Sequence, residues 1–80
     1  MKMNVELIKS KKTKWYGIVG LFAHIVDDKI VQYVVGTDVE ESLDEWGHGT
    51  YFSKQDFEFA EKHFDSYQDM IKEGETNDWM

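Results

Sequence analysis

The 80-residue chain contains no cysteine, no proline and no arginine. Without cysteine there are no disulfides and no thiolate zinc sites, which suits a reducing compartment. Without arginine all nine basic residues are lysine. The planar fork that grips phosphates and base edges in pairs of hydrogen bonds is therefore missing, and direct nucleic-acid binding is not expected. Long apolar runs are also absent. The most apolar stretch, residues 15–26, carries two glycines and a histidine and falls well short of the ~20 residues that cross a bilayer, so no membrane association is expected. Residues 1–14 are polar and lysine-rich, unlike the layout of a secretory signal. The expected location is the cytoplasm.

What is present is aromatic and acidic. A chain this short buries only a little over ~60% of the surface its unfolded form exposes. Five Phe, four Tyr and three Trp, at roughly 150–250 Å² each, give it the means to build one core without staples. Sixteen acids against nine lysines leave a formal charge of −7, and the charge is unevenly spread. Up to Val35, six Lys stand against Glu6, Asp27 and Asp28, a balance of +3. Beyond it three Lys stand against thirteen acids, a balance of −10.

Hydrophobic periodicity organises the chain. Met3, Val5 and Leu7 alternate with Asn4 and Glu6, so residues 3–9 read as a half-buried strand, followed by the polar connector "SKKTK" at 10–14. Residues 15–26 fit a helical spacing at Ile18, Leu21, Phe22 and Ile25. Their two glycines and β-branched residues decide for a strand. "DDK" at 27–29 marks a turn, and "IVQYVVG" a third strand pairing with the second as an antiparallel hairpin. Both strands are apolar on two faces, so each face needs a cover.

Residues 37–46, "TDVEESLDEW", change character. Thr37 with Glu40, or Asp38 with Glu41, resembles a capping box, and Val39, Leu43 and Trp46 share a helical face, so a short acidic helix is expected, ended by Gly47. "GTYF" reads as a brief fourth strand. Ser53 with Asp56 forms a second capping box, opening a C-terminal amphipathic helix that runs to Glu73 with Phe57, Ala60, Phe64, Tyr67 and Ile71 on its buried face. The expected fold is a single α+β domain over residues 1–74: an antiparallel sheet of three strands and a short fourth, packed by the C-terminal helix, with residues 75–80 a frayed acidic tail.

No catalytic, cofactor or metal signature emerges. His24, His48 and His63 lie 24 and 15 residues apart, which matches no ligand motif. No serine sits in a nucleophile elbow, and the glycine pairs form no phosphate loop. The feature that points to function is the acidic half. Glu61, Asp65, Asp69 and Glu73 recur every four residues and Glu58 precedes them; Asp38, Glu40, Glu41, Asp44 and Glu45 add a second set, with His48 at the corner between them. Like charges stacked this way act against the helix by ~0.2–0.5 kcal/mol per pair, yet they attract a basic protein surface and speed its encounter. These eleven residues are the expected partner-binding set. The expected function is non-enzymatic: docking on a basic, nucleic-acid-binding type of surface to inhibit or regulate it, as small phage-borne inhibitors of host nucleases and defence systems do. Two alternatives compete with it: a homodimer or structural assembly through the apolar hairpin of residues 18–35, and a small hydrolase or metal enzyme using His48 with Asp44 or Glu45.

Overall fold

A computed structural model describes residues 2–40, 43 and 45–67. Four strands follow one another as an antiparallel meander, β1 (Met3–Lys12), β2 (Ile18–Val26), β3 (Lys29–Thr37) and β4 (His48–Ser53), in the order β1-β2-β3-β4. The helix α1 (Phe57–Ser66) closes the described fold. Among the described residues no helix is long and apolar enough to cross a membrane.

The α+β class and the four-stranded sheet match the sequence pattern, and residues 18–26 resolve as strand. β2 pairs along its length with both neighbours, and this central position makes use of side chains that are apolar on both faces. On one face Val19, Leu21 and Val35 pack with Ala60 and Phe64 of α1. On the other, Phe22 and Val34 pack with Val39 and Trp46 from the β3–β4 connector. The β2–β3 turn is tight because Asp27 and Asp28 both take positive φ, 50° and 66°, the twist that joins antiparallel strands in a two-residue hairpin.

The polar connector expected at 10–14 is shorter than its composition suggested. β1 runs on to Lys12, and the chain turns over 13–17 around a buried Thr13. The Thr13 hydroxyl donates to the Gly17 carbonyl at 2.7 Å and accepts from the Tyr16 N–H at 3.0 Å. A β-bulge between Leu7 and Lys9 inserts Ile8 as an extra residue. The bulge inverts the strand's facing: Val5 and Leu7 join the Phe22 face, while Lys9 and Lys11 reach the α1 face, over the Phe64 ring.

Two helical expectations are corrected. No described residue of 37–46 is helical. Asp38 and Leu43 have φ of 56° and 60°, outside the right-handed helical region, while Glu41, Ser42 and Asp44 lie outside the described residues. The cause is long-range. Thr37 and His48 are cross-strand partners, held about 5 Å apart by the ladder, whereas a ten-residue helix would separate its ends by about 15 Å. The segment instead closes as a loop: the Gly47 N–H donates to the Thr37 carbonyl at 2.9 Å and the Val39 N–H to the Ile18 carbonyl at 3.0 Å. Ser53 is likewise not a helix cap, because it is the last residue of β4, paired with Gln32. Its hydroxyl donates to the Asp56 carboxylate at 2.9 Å, and the helix starts only after Asp56. Tyr67 is already extended, ψ 134°, so α1 ends at Ser66; the rest of the helix expected to Glu73 lies outside the described residues.

Candidate functional site

The described acidic residues do not form one surface. The connector packs through Val39 and Trp46 on the sheet face opposite α1, carrying exposed Glu40 and Glu45 with it. Glu58, Glu61 and Asp65 ride on α1 over the other face. Asp38 and His48 stand at one end of the sheet. Glu41, Asp44, Asp69 and Glu73 lie outside the described residues. Part of the helical stripe is also answered within the chain. The inverted half of β1 brings the Lys9 ammonium to 3.2 Å from Glu61 and 3.7 Å from Asp65, a pairing invisible to helical periodicity alone.

The outer side of α1 exposes Glu58, Phe59, Lys62 and Asp65. Phe59 is 61% exposed, although its neighbours Phe57 and Ala60 are packed in the core. Helical spacing explains why. Residues two apart on a helix do not share a face, so Phe59 cannot join the stripe of Phe57, Ala60 and Phe64. The sequence held this signal, an aromatic side chain out of phase.

At the end of the sheet, on the α1 face, lies a hollow of about 230 Å³. The cross-strand pairs Thr37 with His48 and Val35 with Thr50 form its floor with Gly49, and Tyr16, Tyr67 and Asp38 its walls. The Tyr16 and Tyr67 rings meet edge to face at 5.1 Å. Asp38 is seated by its surroundings. Its N–H donates to the Tyr16 carbonyl at 3.1 Å, and a side chain at Gly17 would stand 3.1 Å from its Oδ1. Thr37, Asp38 and His48 come together here from 16 and 67 only through tertiary closure, and no local pattern announces the two tyrosines. His48 has no side-chain hydrogen bond to Glu45, and Asp44 lies outside the described residues.

On the opposite face His24 stacks against Trp46, centroids 5.7 Å apart, and meets Tyr51 edge-on at 6.0 Å. Its Nδ1 lies 2.7 Å from Gln32 Nε2, while its Nε2 is buried with no partner among the described residues. Burial pushes the imidazole below its ordinary value of 6.5, because the charged form loses water and finds no counter-charge. Among the described residues no three His, Asp or Glu side chains gather as a metal site. The apolar hairpin faces that suggested self-association are covered within the chain over Val19, Leu21, Phe22, Val34 and Val35. Comparison with protein-family models, with curated proteins and with solved structures finds no match to this chain.

Proposed function

We propose that the protein is a non-enzymatic binding module whose α1 outer face docks on a basic protein surface, of the kind that holds nucleic acid, and so inhibits or regulates its owner. The observation that carries this is Phe59, exposed on the same helix that exposes Glu58 and Asp65. An exposed aromatic anchor on a helix that also presents acids combines two elements of an interface: the ring supplies affinity, and the acids supply steering and orientation. Asp69 and Glu73 extend the same spacing in the sequence, with Lys72 beside them, and among the described helix residues Lys62 is the exposed lysine. Glu40, Glu45 and His48 belong to other parts of the surface and are secondary in this reading.

The test is affinity capture from the source cell with tagged wild-type protein, followed by titration calorimetry on the captured partner. The expected partner is basic, binds less tightly as salt rises, and loses about 2 kcal/mol, close to thirtyfold, with Phe59→Ala. Glu58→Lys with Asp65→Lys should weaken binding further. A partner indifferent to both variants, or to ionic strength, would overturn the reading.

A further inference from the structure

The geometry points to a second binding site: we propose that the hollow walled by Tyr16 and Tyr67 takes a small organic cation, a guanidinium or alkylammonium group, with Asp38 as its counter-charge. The inference goes beyond the helix-face reading and uses none of the α1 residues that carry it.

Three observations favour a cation over other ligands. First, the lining carries one carboxylate and no lysine. The Asp38 side chain is exposed and engages no hydrogen bond or ion pair among the described residues. An anion would meet that charge and the field of a chain at −7, whereas a cation is drawn by both. Second, tyrosine rings offer a negative face to positive charge and an apolar wall to an alkyl stem. Third, Thr37 is only 7% exposed, lines the hollow and has no side-chain hydrogen bond among the described residues. Its hydroxyl oxygen is an acceptor in a floor shared with the exposed His48, Gly49 and Thr50, suited to an N–H donor and unsatisfied by a purely apolar ligand.

Size narrows the class. About 230 Å³ is below the ~300–1,000 Å³ of sites for drug-sized molecules, so the hollow fits one arginine- or lysine-like group. The backbone that carries the counter-charge is also fixed in place. Asp38 sits at φ 56° between two glycines, where side chains at Gly17 and Gly47 would stand 3.1 and 3.3 Å from Asp38 atoms. Flanking backbone bonds from the Val39 and Gly47 N–H groups lock both sides. A carboxylate on such a backbone has only its own side-chain rotamers to order when a cation arrives.

The experiment is an NMR titration of the isotope-labelled full chain with N-acetylarginine methylamide and N-acetyllysine methylamide, with N-acetylnorleucine methylamide as neutral control. At least one cation should give saturable amide shifts at Gly17, Asp38, His48 and Gly49, with Kd about 1–10 mM, and the neutral analogue should give none. Asp38→Asn removes the charge while keeping a residue that tolerates left-handed backbone; it should weaken binding at least about tenfold. If that variant fails to fold, Tyr16→Ala, on an exposed loop, should produce a clear loss instead. No saturable shift from either cation, equal shifts from the neutral analogue, or unchanged binding in the folded Asp38 variant would each overturn the proposal. Phe59→Ala should leave this titration unaltered, so failure here and failure of helix-face docking are separately visible.

Discussion

Trp46 shows how much a single residue carries in this fold. Its indole lies on Phe22, ring centroids 4.7 Å apart, and over the cross-strand pair Gly36 and Gly49. A Cβ at Gly36 would stand 2.6 Å from the ring, and one at Gly49 2.7 Å. In the sequence "EWGHGTYFS" the second glycine only opens a brief strand; in the fold it is also half of a flat floor on which the tryptophan rests. Gly36→Ala should therefore destabilise by about 1–3 kcal/mol through overpacking. In the Trp46→Ala background the same change should have a much smaller effect, which a double-mutant cycle by denaturant unfolding would measure. Additive effects would mean that the indole is not the obstacle. His24, stacked on the same ring, ties this packing to pH. Its folded value is lowered from 6.5, so below 6.5 the unfolded chain binds the proton more readily. The contribution is whole above pH 6.5 and is lost as pH falls from there through the folded value. Unfolding midpoints at pH 7.5 and 5.5 should differ in that direction. Among the described residues, the polar and aromatic side chains in contact with His24 are Gln32, Trp46 and Tyr51. His24→Phe should remove the step, and a step that persists would assign it elsewhere.

At the scale of elements, the parts legible in the sequence are those set by local period. Alternation marked β1, the β-branched runs marked β2 and β3, and the stripe of Phe57, Ala60 and Phe64 marked α1. What local period could not contain was closure between distant residues. Val39 and Trp46 were recognisable as apolar anchors and do reach the core, but the pairing of Thr37 with His48 is incompatible with a helix over the whole of 37–46. The same limit applies to the candidate site: the acidic residues were legible, but their division between two sheet faces was not, nor was the meeting of Tyr16 with Tyr67. The β1 bulge is the sharpest case, since strict alternation would put Leu7 and Lys9 on one face. Pairing passes from Leu7 with Phe22 to Lys9 with Leu21, so the partner strand has no residue opposite Ile8. Deletion of Ile8 should thus leave both halves in register, with a loss near ~1 kcal/mol, or a melting shift of about 4–8 °C for a domain this size. Deletion of Leu7, which would remove a contact to the Phe22 cluster, should be clearly worse. Equal damage from the two deletions would refute the bulge as the cause of the inverted facing.

For the whole molecule, salt should act with opposite signs on folding and on binding. Sixteen acids and nine lysines in 80 residues make the folded state self-repelling, and screening over a Debye length of ≈ 10 Å at 0.1 M relieves that repulsion. Lys9 between Glu61 and Asp65 is an attractive contact within the described residues. Its groups are well exposed, and pairs of this kind are typically worth only ~0.2–1 kcal/mol and are themselves screened. Net repulsion should therefore outweigh that loss, and the melting temperature should rise between about 0.02 and 0.2 M sodium chloride. Over the same range the affinity for a basic partner should fall, because the attraction of opposite fields is what is being screened. The loss should lie chiefly in the association rate, with Phe59 governing dissociation. Stopped-flow binding and thermal melts in matched buffers would resolve the two trends. A melting temperature that rises while the association rate stays constant would separate the acidic charge from recognition and leave it a role in solubility alone.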